Sequence, residues 1–141
     1  MSSHFKPVGK ALIYATSARR LLVFEEPDFP EVPLQVPGGT IEDGELPEAT
    51  ARREFHEETG LPQPNELIFL GCDNCQFTWQ NDQYLHRRHY FHLPLSDDMP
   101  LTWDHHEIHA FDGAAPILFR FFWLDLEEAK ILTCSPICLR L

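Results

Sequence analysis

Runs of apolar and β-branched residues between turn-forming residues predict strands in the first third of the chain. Residues 8–15 and 20–25 have this composition, and a short turn at residues 16–18 separates them. A loop containing Pro30 and Pro33 follows, and proline disfavours the interior of both strands and helices. We therefore expect two strands joined by a tight turn and then an irregular segment.

The middle of the chain predicts a long hairpin. Residues 67–79 and 84–95 are rich in aromatic, β-branched and leucine side chains, which suit a pleated and half-buried surface. Asn81 and Asp82 lie between them, and both residue types favour turns.

The last third predicts a loop, a strand and a helix. Residues 96–116 contain proline and glycine and are expected to form a loop that carries Glu107. Residues 117–124 are almost continuously apolar and predict a buried strand. Asp125 and Glu128 have the spacing of a reciprocal helix cap, so a final helix is expected to begin there. Strands interleaved with two helices indicate an α/β domain.

The first of these helices is predicted between Pro47 and Gly60. Proline fits a first helical position, where its missing N–H would have no partner in any case. Glycine just past the last turn can adopt the left-handed conformation that ends a helix, and Pro62 prevents a restart. Ala51 and Phe55 are four residues apart, so both are expected to face the core.

Glu54, Glu57 and Glu58 share another face of this helix, because residues three and four apart are neighbours on a helix surface. Carboxylates crowded together repel one another, and a divalent cation would offset that repulsion. Hard oxygen ligands suit Mg²⁺ and also Mn²⁺. The alternative is a solvated acidic face, which is the usual explanation for a run of charges.

Residues 39–61, GTIEDGELPEATARREFHEETGL, resemble the Nudix box. Ahead of the helix, Gly38 and Gly39 would let the main chain approach an ion closely. Phe55 stands where the family usually has an aliphatic residue, and it is still apolar. Every fixed position of the box is matched, by Gly39, Glu45, Arg53, Glu54, Glu57, Glu58 and Gly60.

The resemblance implies a single Nudix domain over residues 1–141, folded as an α/β/α sandwich with a mixed β-sheet. It implies that Glu54, Glu57 and Glu58 bind Mg²⁺, with Mn²⁺ as a substitute, and that the backbone carbonyl of Gly39 assists. It also implies an ion pair between Glu45 and Arg53 that fastens the loop to the helix.

The activity implied by the resemblance is hydrolysis of a nucleoside diphosphate linked to another group. Such a substrate would be a nucleoside triphosphate, a nucleotide sugar or a dinucleotide, attacked by water with the help of metal. The general base varies in this family, so Glu57 in the box and Glu107 on the later loop are both candidates. We group them with Arg53, the charged clamp, as the catalytic set. The competing hypothesis is a Nudix-fold module that senses a nucleotide without cleaving it.

Composition narrows the expected partners. The chain has 141 residues, 43% of them hydrophobic, which suits one domain with a real core. Its formal charge of −11 argues against binding to nucleic acid. No apolar run is long enough to span a bilayer and the start has no apolar signal core, so we expect a cytoplasmic protein without membrane contacts. The expected partners are a small nucleotide and, as an option, a second copy of the chain.

Candidate substrate contacts come from aromatic and basic residues outside the box. Trp79 and Trp103 could stack on a base, although aromatic residues in strands belong to the core more often. Arg87 and Arg88 could reach a phosphate, but as neighbours on a strand they point to opposite faces.

Cysteines and histidines raise the alternative of a zinc-stabilised interaction domain. Cys72 and Cys75 have a zinc-type spacing, but three residues along a strand place their side chains on opposite faces, so partly buried reduced thiols are the simpler interpretation. Histidines three apart on the predicted strand alternate faces for the same reason, and those near Glu107 are expected to rim a pocket. The remaining members of these sets are Cys134, Cys138, His86, His89, His92, His105, His106 and His109.

Overall fold

The computed structural model describes residues 7–107 and 115–129. In chain order the elements are β1 Val8–Ser17, β2 Arg20–Glu25, β3 Gly38–Thr40, α1 Pro47–Thr59, β4 Ile68–Trp79, β5 Asp82–Pro94, β6 Trp103–His106, β7 Leu118–Asp125 and α2 Leu126–Ala129.

A mixed sheet forms the centre of the molecule. Its strand order is β4-β5-β1-β2-β7-β6, and β3 pairs with the first part of β1. The pairing of β1 with β5 is parallel, whereas the other ladders between these strands are antiparallel. Because β1 is bordered by β3 near its start and by β2 only at its end, the start of β1 lies directly beside the loop that leads to α1.

The two faces of the sheet pack against different helices. Alternate β1 residues Ala11 and Ile13 pack with Ala51 and Phe55 of α1, so the prediction that this helix turns these residues to the core is confirmed. The opposite face buries Leu12 against side chains that include those of α2. The fold is therefore an α/β/α sandwich around a mixed sheet, as expected. No helix among residues 7–107 and 115–129 is long and apolar enough to cross a bilayer.

The prediction of a loop over residues 96–116 is wrong in one part. Residues Trp103–His106 form β6, which pairs antiparallel with β7 at the edge of the sheet. Four residues with two histidines and an aspartate carry little strand signal of their own, and the pairing with the strongly apolar β7 decides their conformation.

Both tight turns are shifted from their predicted positions. β1 continues to Ser17, so the first turn consists of Ala18 and Arg19, with φ of 49° and 62°. The long hairpin turns at Gln80 and Asn81, with φ of 48° and 70°, rather than at residues 81–82. Two successive left-handed residues match the right-handed twist of the flanking strands, and this requirement overrides residue preference at the first turn.

Candidate active site

Helix α1 carries the acidic residues and is held at both ends. Pro47 occupies its first turn, and Gly60 ends it with φ of 78° and donates its N–H to the His56 carbonyl at 3.0 Å. Beyond the cap, β6 supplies two side-chain contacts to the last turn. The Trp103 indole donates to the Thr59 carbonyl at 3.0 Å, and His105 Nε2 lies 3.1 Å from the Glu57 carbonyl. The unforeseen strand therefore fixes the part of the helix that carries the carboxylates.

Gly38 and Gly39 bring the main chain against these carboxylates. The Gly38 N–H donates to Glu58 Oε1 at 2.7 Å. A Cβ atom at Gly39 would lie 2.3 Å from Glu54 Cδ, far inside van der Waals contact. Any residue other than glycine would thus displace Glu54, which explains the requirement for glycine by close approach rather than by backbone angle.

Arg53 bridges the loop and the helix. Its Nε and Nη2 atoms each donate to one oxygen of Glu45 at 2.9 Å, which is the bidentate geometry. Its Nη1 atom donates to Glu54 at 2.8 Å and to Glu57 at 3.3 Å. The bond from Arg53 lowers the pKa of Glu45 to about 2, and Thr50 adds a hydroxyl bond of 2.6 Å to the same carboxylate. One guanidinium therefore joins Glu45 of the loop to Glu54 and Glu57 of the helix.

Burial sets the protonation of the deeper carboxyls. It raises the pKa of Glu54 to about 7, opposed by Arg53 and reinforced by the charges of Glu57 and Glu107. Glu58 is fully buried, and burial, Glu54 and Glu107 raise its pKa well above the ordinary value, against the bond from Gly38. A dication would reverse this balance, because it favours the ionised form of every carboxylate around it.

The donor set fits a hard divalent cation. Glu54, Glu57 and Glu58 supply carboxylate oxygens, and Gly39 is close enough to Glu54 for its main chain to join them. As they stand, no three His, Cys, Asp or Glu side chains among the described residues are already arranged as a metal cage. Arg53 bonds one oxygen of Glu54 and one oxygen of Glu57, so an ion would be bound through the second oxygen of each carboxylate.

Glu107 lies at the end of β6 rather than within a long loop. Its backbone N–H donates to the Ile117 carbonyl at 3.0 Å, which extends the pairing with the chain entering β7. Its charge raises the pKa of both Glu54 and Glu58, so its carboxylate lies near the acidic cluster. The sheet edge therefore positions this candidate base.

The predicted substrate contacts lie in different surroundings. The Trp103 ring stacks on Phe121 with 5.1 Å between ring centroids, and its indole N–H donates to α1. Trp103 therefore packs within the protein in this structure. Trp79 is half-buried at the end of β4. Arg87 is exposed and its Nη2 atom lies 3.6 Å from Cys72 Sγ.

Two buried basic residues lie near the carboxylates: Arg88, which the sequence suggests as a possible phosphate contact, and Lys10, which the sequence reasoning missed. Lys10 and Arg88 are Cα partners in the parallel ladder and are only 7% and 2% exposed. Lys10 donates to Thr40 at 2.6 Å. Burial lowers its pKa to about 8, opposed by Glu54 and Glu58 and assisted by Arg88. The available signal for Lys10 was its place in an apolar strand, two residues before Leu12, which is buried.

The cysteines and histidines do not come together in the described part of the chain. Cys75 is half-buried, but Cys72 is exposed, so the expectation of partly buried thiols is wrong for Cys72. His86 is buried, and His92 lies 2.8 Å from the Thr16 hydroxyl. The predictions that concern His109, Cys134 and Cys138 lie outside the described residues.

Comparisons with known proteins agree with this architecture. The family model described as the NUDIX domain matches residues 6–136. The structure of the E. coli dihydroneopterin triphosphate pyrophosphohydrolase is similar with a TM-score of 0.61 and 20% identity, over 88% of this chain and 84% of that chain. A NUDIX hydrolase from Nitrosomonas europaea gives a TM-score of 0.60 and 20% identity over 96% and 85%. The C. elegans Ap4A hydrolase gives 0.53 and 18% over 92% and 87%. No curated protein matches the sequence. At these identities the structural likeness establishes the shared fold.

Proposed function

Since the chain belongs to the Nudix family, we propose that residues 1–141 act as one domain that hydrolyses a phosphoanhydride bond. The proposed substrate is a nucleoside diphosphate linked to another group, and the proposed cofactor is Mg²⁺, with Mn²⁺ as a substitute. The observation that carries the proposal is the convergence of Glu54, Glu58 and Glu107: the charge of Glu107 raises the pKa of both Glu54 and Glu58, which lie on the buried side of α1.

The residues that would hold the ion are Glu54, Glu57 and Glu58, with the carbonyl of Gly39. When bound, a divalent ion polarises a phosphoryl oxygen and neutralises the charge that develops as water attacks. Holding the carboxylates ionised for this purpose requires them to give up the protons that burial favours.

The protein groups around the ion would divide the remaining work. Arg53 orients Glu54 and Glu57 through its hydrogen bonds and is itself fixed by Glu45. Glu107 or Glu57 would accept the proton of the attacking water. Glu107 follows the edge strand β6, so it would act from an element other than the helix that carries Glu57.

The test is a product screen with purified protein and Mg²⁺. The panel contains nucleoside triphosphates, nucleotide sugars, dinucleoside tetraphosphates and a pterin triphosphate, and products are separated by ion-exchange chromatography. We expect Mg²⁺-dependent release of phosphate-containing products from at least one class. Binding of these compounds without turnover would contradict the proposal and favour the sensing module.

A pair of variants connects that activity to the site. Glu57→Gln should lower turnover by roughly a hundredfold or more, because it removes charge but little volume from the ion site. The matched control is Glu48→Gln, which changes an exposed acid of the same helix that pairs with Arg52. Near-normal turnover of Glu57→Gln at saturating Mg²⁺ would exclude Glu57 as a ligand and as the base.

A further inference from the structure

The buried basic residues on β1 and β5 define a surface that the proposed chemistry leaves unused. We call the sheet face that carries Lys10 and Arg88 the Lys10 face. His86, two residues before Arg88, belongs to the same face and is 4% exposed. Phe77 of β4 also lies there, because it contacts His86 edge-on with 4.8 Å between ring centroids.

Arg88 has two donors that nothing in the described chain uses. Its Nε and Nη2 atoms are buried and lack a hydrogen-bond partner among residues 7–107 and 115–129. Buried donors are nearly always satisfied, and leaving them unpaired is costly for a charged group. These two atoms form one edge of the guanidinium, with parallel N–H bonds that match two oxygens of a carboxylate or a phosphate.

The charge of Arg88 is also uncompensated by its neighbours. Asp73 is its Cα partner on β4, but the Asp73 carboxylate accepts a hydrogen bond from Tyr90 at 3.0 Å and makes no ion pair with Arg88 in the described structure. The Tyr90 hydroxyl contacts the guanidinium as well, and it is neutral. On the other side Arg88 faces Lys10, a second cation. Two buried cations side by side favour an anion between or beside them.

The surroundings hold the guanidinium in position. The Cζ atom of Arg88 lies 5.5 Å from the centroid of the Phe77 ring, which is a cation–π contact. The Phe77 ring in turn stacks on the Tyr84 ring, with 5.2 Å between the ring centroids. His86 Nδ1 is likewise buried without a partner among the residues described. A side chain oriented by an aromatic ring, with a free bidentate edge and a free imidazole nitrogen nearby, has the features of a built binding site.

Distance from the acidic cluster decides which part of a substrate would lie here. The charges of Glu54 and Glu58 act to raise the pKa of Lys10, so Lys10 lies near the acidic cluster. Arg88 is the partner of Lys10 on the adjacent strand β5. Adjacent strands are about 4.8 Å apart, which is close to the spacing of phosphorus atoms two apart in a polyphosphate. A ligand whose metal-bound phosphate lies beside Lys10 would therefore place the phosphate two positions further along its chain beside Arg88.

We propose that Arg88, assisted by Lys10 and His86, binds a phosphate group of the substrate beyond the phosphoanhydride that is cleaved. This inference rests on the proposed function and narrows its substrate class to polyphosphate compounds, such as nucleoside triphosphates or dinucleoside polyphosphates. The free edge of Arg88 is closed to solvent in this structure, so a covering side chain turns when the ligand enters. Phe77, which is half-buried and lies against the guanidinium, is placed to do so.

The test uses inorganic tripolyphosphate, which has no base and no sugar, and the full chain. Binding is measured by isothermal titration calorimetry in EDTA, so that the carboxylate site contributes no metal. Arg88→Met should weaken binding by roughly ten- to hundredfold, since it removes charge-assisted hydrogen bonds. Its melting temperature without ligand should be equal to or above that of the wild type, because an uncompensated buried charge is replaced by an apolar chain of similar length. A purely structural arginine would instead lower the melting temperature.

The matched control is Arg20→Met, which removes another arginine stacked on an aromatic ring, 5.8 Å from Trp123. It should leave the tripolyphosphate affinity within twofold. Arg88→Lys keeps the charge but loses the bidentate edge, so it should bind tripolyphosphate several-fold less tightly than the wild type. If Arg88→Met does not fold, the affinity of Arg88→Lys tests the proposal instead.

Unchanged tripolyphosphate affinity in a folded Arg88 variant would overturn the inference and assign the free donors to a buried water. Loss of affinity in Arg87→Met with normal affinity in Arg88→Met would also overturn it. The two proposals separate cleanly. Arg88-dependent binding without Mg²⁺-dependent hydrolysis would contradict only the enzymatic function, and hydrolysis with an unaffected Arg88 variant would contradict only the phosphate site.

Discussion

Alanine substitutions at the adjacent Gly38 and Gly39 should have different effects: one should lower the stability of the fold and the other should impair the candidate site. At Gly39 the new methyl group would lie 2.3 Å from Glu54 Cδ and 2.6 Å from its Oε1 atom, whereas ordinary contact begins near 3.4 Å. Glu54 must therefore retreat by about 1 Å, and its carboxylate is the end of a flexible side chain. A misplacement of about 1 Å in a catalytic constellation can cost on the order of a hundredfold in rate.

The stability of Gly39→Ala should be almost unchanged. Gly39 does not have a left-handed backbone conformation, and alanine at a compatible position gains roughly 0.4–1 kcal/mol by restricting the unfolded chain. Gly38→Ala is the contrasting variant, because its methyl group would lie 2.3 Å from the Ala11 carbonyl oxygen, a backbone atom of the neighbouring strand. Overpacking against backbone should cost about 2 kcal/mol, or roughly 7 °C in melting temperature for a chain of this length.

The assays are turnover as a function of Mg²⁺ concentration and thermal unfolding of both variants. We expect Gly39→Ala to fold normally, to need more Mg²⁺ for half-maximal rate and to have a rate about a hundredfold lower. Gly38→Ala should melt earlier. Normal rate and Mg²⁺ dependence in Gly39→Ala would refute the argument that Glu54 acts from its observed position, and a large loss of melting temperature there would refute the assignment of the clash to a flexible group.

Three further predictions follow from the same contacts. Glu45→Gln should lower stability by about 1 kcal/mol and reduce activity, because Arg53 loses a bidentate partner. The folded pKa of Glu45 is depressed to about 2, so its contribution to stability is full above pH 4.5 and disappears as the pH falls towards 2. Urea unfolding at several pH values should show this loss in the wild type and not in the variant. Glu107→Gln should reduce the maximal rate by about a hundredfold and remove the acidic limb of the pH–rate profile with little change in Mg²⁺ affinity, whereas a large loss of affinity would make Glu107 a ligand. Burial lowers the pKa of His86 from 6.5 to about 4, so protonation favours the unfolded chain and stability should fall as the pH drops from 6.5 towards 4; equal pH dependence in His86→Gln would contradict this.

The sequence by itself determined the helix that carries the carboxylates. Pro47 and Gly60 mark its ends through local backbone rules, and the spacing of Glu54, Glu57 and Glu58 places them on one face whatever the helix packs against. The strands with long apolar runs could be predicted for the same reason, because their local composition agrees with their burial in the sheet. The family resemblance rested on these local features.

Only the tertiary structure decided which distant residues meet that helix. Residues Trp103–His106 become a strand because β7 offers a paired edge, and this pairing brings Trp103 and His105 to the carbonyls of α1. The parallel register of β1 with β5 places Arg88 beside Lys10, although 78 positions separate them in the sequence. Period-two alternation shows that Arg87 and Arg88 face opposite ways, but it cannot show which of them is buried. That choice depends on the side chains that neighbouring strands place over each face, which for Arg88 include Phe77 of β4.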